Sequence, residues 1–228
     1  RNFFPSQMRP EKVTGRFGMP AVIYQEAREC DLRLSQYFNS NRSQWVDIVK
    51  AMVAARGSCT AHNPKASAGF FAWDAGITRM RQMFCREGWN AVDESGVELI
   101  VNHDFRRKVT VMNADKGVCD PLRSPRNRTE KGPMAEKITD LNNQLDLFRR
   151  DNPREVRREI YDLWQRCVFD DGKAVRAELS RPIEFRGGFY IGYSERIWII
   201  RPGEWERIAV EMPAEDDGQD FDIAVRRK

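Results

Sequence analysis

The stretch Lys116-Gly-Val-Cys-Asp-Pro-Leu-Arg-Ser-Pro-Arg-Asn-Arg-Thr-Glu-Lys-Gly-Pro133 separates a helix-rich first part of the chain from a strand-rich second part. Pro121, Pro125 and Pro133 each lack a backbone donor, and Gly117 and Gly132 loosen the backbone further. Neither a regular helix nor a central strand can therefore run through this stretch. It carries Lys116, Arg123, Arg126, Arg128 and Lys131 against Asp120 and Glu130. An exposed basic loop of this length on a packed scaffold is the best candidate for the functional site.

Upstream of it the apolar residues recur at helical spacing. Ile23, Ala27, Cys30, Leu34 and Phe38 predict an amphipathic helix over 21–38. Ser43 reads as the N-cap of a second helix over 44–56, with Trp45, Ile48, Val49 and Met52 on its stripe and Gly57 at its end. A third runs over 67–87, carrying Phe70, Phe71, Trp73, Ile77, Met80 and Phe84 inward. The connector 58–66 is longer than the tight turn of a helix-turn-helix motif. The period then changes to two, and 89–92, 97–101 and 107–112 read as a three-strand meander.

Downstream, Ile138, Leu141, Leu145 and Phe148 mark a helix over 134–148, followed by an arginine cluster of Arg149, Arg150, Arg154, Arg157 and Arg158. Residues 161–169 and 174–180 flank Asp170-Asp-Gly172, a hairpin signal because Asp-Gly supplies positive φ. Strands at 189–193 and 196–200, an acidic turn at 213–219 and a terminal strand at 221–225 complete the pattern. The fold class is therefore α+β: N-terminal helices followed by mostly antiparallel strands with one inserted helix. Residues 1–20 read as a flexible basic arm, and 21–228 as a single domain with 21–132 and 133–228 as the alternative pair of lobes.

The chain has 228 residues, 41% of them apolar, which is enough for a substantial core. Its net charge is only +4 although 32% of residues are charged, so anion binding must come from local clustering. The five cysteines are scattered and odd in number, which reads as free thiols in a reducing, cytoplasmic compartment. No apolar run approaches a membrane span.

The basic loop, the 149–158 arginines and Arg106, Arg107 and Lys108 would together form one phosphate-binding face, unless the abundant acids neutralise them. Cys59-Thr-Ala-His62 has the gap of half a zinc site but no second close pair, so no metal is assigned. Two histidines give Cys–His catalysis no specific partner. Asp93, Glu98, Asp104 and Asp115 are the carboxylates a metal-dependent nuclease would use, yet no lysine follows Glu98 by two residues. Asp216 to Asp222 fails the spacing of a calcium loop. No glycine-rich phosphate loop is present and no cofactor is expected. Most tryptophans fall on apolar stripes, and Trp205 is the one expected to be exposed.

Gly88-Trp89, the segment 123–133 and Ser194-Glu-Arg-Ile197 resemble uncharacterised open reading frames of phages and other mobile elements, over about the last two-thirds of the chain. The resemblance implies a phage or mobile-element context and brings no catalytic residue with it. The expected function is that of a non-enzymatic accessory protein binding nucleic acid or a nucleoprotein complex through the central loop. A protein-binding inhibitor of a host defence complex is the alternative, and a metal-dependent nuclease a weaker one.

Overall fold

Alternation on the strands and 3.6-residue stripes on the helices divide the molecule into layers. The structure, a computed structural model, describes residues 21–151 and 161–210. In chain order the elements are β1 (Val22–Tyr24), α1 (Ala27–Phe38), α2 (Arg42–Gly57), α3 (Ser67–Phe84), β2 (Asn90–Glu94), β3 (Val97–Asn102) and β4 (Arg107–Asn113). There follow α4 (Pro133–Asp151), β5 (Asp162–Asp170), β6 (Val175–Arg186), β7 (Phe189–Ile200) and α5 (Trp205–Val210).

The strands form one seven-stranded sheet in the order β1-β7-β6-β5-β4-β3-β2. β2, β3 and β4 are an antiparallel meander, and β5, β6 and β7 are likewise antiparallel. The two groups join where β4 runs parallel to β5, from Arg107 opposite Asp162 to Asn113 opposite Val168. A parallel neighbour demands a long crossover. The Pro/Gly stretch and α4 supply it, which is why a segment that cannot be a strand sits at the middle of the chain.

One face of the sheet packs on α1, α2 and α3. Trp164 and Val168 of β5 point there with Val109 and Val111 of β4 and Ile197 and Ile199 of β7. They meet Leu34 and Phe38, Trp45, Ile48 and Met52, and Ile77, Met80 and Phe84. Phe38 packs edge-on to Trp164 and Trp45 at ring distances of 5.3 and 5.6 Å, and Trp45 lies 4.8 Å from Phe84. α2 and α3 run antiparallel, since Asp47 pairs with Arg79 and Gln44 reaches Glu87. Gly76 lets them close up: a Cβ there would lie 2.9 Å from Met52 and 3.0 Å from Val111.

The other face carries α4 and the Pro/Gly stretch. Leu99, Val101 and Leu163 pack with Ile138 of α4, while Met112, Cys167, Tyr193 and Trp198 pack with Val118, Cys119 and Ala135.

Several sequence expectations are corrected. The first helix starts only at Ala27, because Val22-Ile-Tyr24, strand-forming side chains, pair parallel with β7. α2 is capped by Asn41 rather than Ser43, in a capping box with Gln44. α3 stops at Phe84, short of the expected Glu87. Residues 189–200 are one strand, not two: irregular pairing with β6 near Arg181–Phe185 absorbs the break, and Pro182 is tolerated there for the same reason. Gly187 and Gly188 form the β6–β7 turn with positive φ. Trp205 is half-buried against the helical core, not exposed. The expected arm at 1–20, the acidic turn at 213–219 and the strand at 221–225 lie outside the described residues.

Candidate nucleic-acid interface

The central stretch is closed on itself rather than open. Ala114 bridges Asn127, the Asp115 N–H donates to the Arg126 carbonyl at 2.9 Å, and the Arg128 N–H donates to the Asn113 carbonyl at 3.2 Å. Asp115 Oδ1 accepts from the N–H groups of Gly117 and Arg126. Asn127 donates to the carbonyls of Thr129 and Gly188 and accepts from the Tyr190 N–H. Gly117 is required sterically, since a Cβ would lie 2.4 Å from the Ser124 carbonyl oxygen.

A buried ion pair anchors this loop to the sheet. Arg196 of β7 donates twice to Glu178 of β6, at 2.7 Å each, and both side chains are almost fully buried. The same guanidinium donates to the carbonyls of Gly117, Asp120 and Arg123 at 3.0, 2.8 and 2.9 Å. Glu178 Oε2 accepts the Cys119 N–H at 2.6 Å, and the Cys119 thiol points at the carbonyls of Ala177 and Ile200. Burial pushes the Cys119 thiol well above its ordinary pKa, and the neighbouring Glu178 charge adds to this. Cys119 is thus a packed thiol and not a nucleophile.

The loop's cations separate into two sets. Lys116, Arg123 and Arg126 are exposed. Arg123 lies 3.8 Å from Asp120, and the Arg126 guanidinium stacks 4.6 Å above the Phe189 ring. Arg128 and Lys131 instead line a cleft of about 560 Å3 together with Arg56 at the end of α2 and Lys65 just before α3. Phe70 and Trp73 form part of its wall, and among the described residues no carboxylate lines it. Arg128 donates to the carbonyls of Ala114 and Asp170 at 3.0 and 2.8 Å, which fixes its fork at the cleft edge. Burial lowers its pKa, and the nearby Arg56 charge lowers it further. Arg56 pairs with the buried Asp170 at 3.1 Å, so two guanidiniums share the neighbourhood of one carboxylate. Lys131 is exposed yet walled by the cleft, and desolvation lowers its ammonium pKa.

The first turn of α3 opens onto this cleft. Its N-cap, Ala66, supplies no side-chain bond and no acid sits in the first turn, so the positive helix end is not neutralised by its own sequence. Phe70 and Phe71 are exposed by 56% and 39%, and Phe70 packs 5.9 Å from Trp73. Cations beside clustered exposed aromatics are the components of a phosphate-and-base surface.

The other expected cations do not join them. Arg107 pairs with Asp162 at 2.8 Å and stacks on Tyr37, while Lys108 pairs with Glu94 and lies 5.4 Å from the Tyr161 ring centre. The side chains of Arg149, Arg150, Arg154, Arg157 and Arg158 lie outside the described residues. Sequence reading missed Arg56 and Lys65; the available signal was the start of α3, Pro64-Lys-Ala-Ser67, a helix beginning with a cation and no acid.

Three of the four carboxylates of the nuclease reading are spent locally. Asp93 accepts the Gly96 N–H, Glu98 pairs with Arg81, and Asp115 closes its own turn. Among the described residues no group of three or more histidines, cysteines or acids could hold a metal ion. Among them, too, no helix is long and apolar enough to cross a membrane. No protein-family model, curated protein or solved structure matches the chain.

Proposed function

We propose that this chain binds single-stranded nucleic acid through the cleft between α3 and the central loop, as an accessory protein in a phage or mobile-element setting. The observation that carries the reading is the convergence of Arg56, Lys65, Arg128 and Lys131, from three separate chain segments, on one cleft with no carboxylate in its lining among the described residues. Phosphates sit against the four cations and the open end of α3, and exposed Phe70 with Trp73 stacks bases. A single strand fits better than a duplex, because stacking needs a free base face.

Anisotropy of a labelled oligonucleotide tests it. Four phosphate contacts give a log–log salt slope of roughly −3 for a single strand. The double variant Lys65→Ala, Lys131→Ala removes two side chains that hold no ion pair among the described residues and should flatten the slope by about 1.4. Absence of binding at about 50 mM salt, where electrostatic attraction is strong, would sink the reading.

A further inference from the structure

A second hollow, of about 180 Å3, adjoins the cleft, and Trp73 and Lys131 line both. Its rim is exposed: Ser95 and Gly96 from the β2–β3 turn on one side, Lys131 and Gly132 on the other. Its floor is buried and includes Thr110, Met112, Gln165 and Tyr190. Gln165 is fully buried and its Oε1 accepts from the Tyr193 hydroxyl at 3.2 Å. Its amide nitrogen Nε2 faces the Tyr190 hydroxyl but makes no hydrogen bond of good geometry among the described residues. A buried donor without a well-placed acceptor is costly and rare, and here it belongs to a side chain lining a hollow that reaches the surface.

We propose that this hollow receives one base of the strand held in the cleft, a single-ring pyrimidine whose carbonyl oxygen accepts from Gln165 Nε2. The inference rests on the cleft reading above. Size limits the guest to a single base, since the hollow is smaller than the roughly 300 Å3 at which drug-sized pockets begin. Chemistry selects a carbonyl: Gln165 Nε2 and Lys131 offer donors, and the one carboxylate in the lining, Glu98, is taken by Arg81. Adenine is disfavoured, because it has no carbonyl and sets its N6 amino donor against the same two donors. Trp73, common to cleft and hollow, gives the inserted base an aromatic wall.

The test compares a twelve-residue oligothymidine with the matching oligodeoxyadenosine by anisotropy at one salt concentration. The expected preference for thymidine is about tenfold, the size of one buried base contact. Gly132→Trp places a side chain over the rim at a position where a Cβ meets nothing within 4 Å, and should bring the two affinities together. Gln165→Met, checked for folding by its melting temperature, should do the same by removing the donor. Equal wild-type affinities, or a preference untouched by Gly132→Trp, would overturn the base pocket and leave the cleft reading standing. If neither strand binds, both fall.

Discussion

The two faces of the sheet are covered in different ways. On the helical face, side chains of α1, α2 and α3 meet the strands through apolar area and aromatic edges, with no directional bond required at most positions. On the loop face, a guanidinium and a carboxylate hidden beneath the chain hold four backbone groups and each other in fixed directions. Burial area can be shared among many interchangeable residues, whereas a directional network depends on each of its members. The proposed cleft lies where the two meet, with Arg128 and Lys131 from the loop and Arg56, Lys65 and Phe70 from the helices. A loop can present chosen side chains only if something other than its own secondary structure holds it.

The largest effect should come from breaking the network at its centre. Arg196→Ala leaves Glu178 buried and unpaired and frees three carbonyls, so urea denaturation should show a loss of about 3–5 kcal/mol. The double variant Glu178→Leu, Arg196→Met removes both charges and should recover much of that stability. Protease cleavage within 116–132 should nevertheless remain faster than in wild type. A double variant whose loop resists protease as wild type does would show that apolar packing alone holds the loop.

Alkaline pH should act next, through both faces. Burial raises the Cys30 thiol from 9.0 to about 11 and pushes the buried Cys119 and Cys167 thiols up as well. Their protonated forms are favoured in the fold, so their contribution is complete below pH 9 and is lost as the unfolded chain ionises above it. Arg166 works in the opposite sense, because burial lowers its pKa to about 9. Three thiols outweigh one arginine, and Cys30 alone should account for about 2 kcal/mol between pH 9 and 11. Urea midpoints at pH 8 and 10.5 measure the loss, and Cys30→Ala should reduce it; equal midpoints at the two pH values would contradict the assignment.

The smallest effect should be a gain. Arg166 is the exception on the helical face, fully buried, with one bond to the Trp45 carbonyl at 2.8 Å and no partner at Nε or Nη1 among the described residues. Arg166→Met should raise stability by about 1–2 kcal/mol, read as a higher melting temperature. A lower one would mean that the charge serves the fold in a way apolar packing does not.

Much of the architecture was legible in the chain because its signals are local. The Asp-Gly turn at 171–172, the alternation of β3 and β4 and the stripes of α2 and α3 each declare themselves within a dozen residues. β1 escaped because three strand residues directly precede a helix whose spacing absorbs them. β7 reads as two strands because the polar pair Ser194-Glu195 interrupts its run of apolar and aromatic residues. The site was only partly legible. Arg128 and Lys131 could be proposed from the loop, but Arg56 and Lys65 reach the same cleft only because α2 and α3 fold back on each other. The closed shape of the loop was hidden for a related reason: its fastener, Arg196, lies 76 positions beyond Asp120.

That distance has a consequence for the order in which the molecule assembles. Helices and the first meander depend on near neighbours and can form early, but the central loop has no anchor until β7 has docked beside β6. During synthesis the segment 116–132 leaves the ribosome well ahead of Arg196, so a nascent chain halted before β7 would have its helices and no binding cleft. Acquisition of the proposed binding cleft is thereby coupled to completion of the sheet.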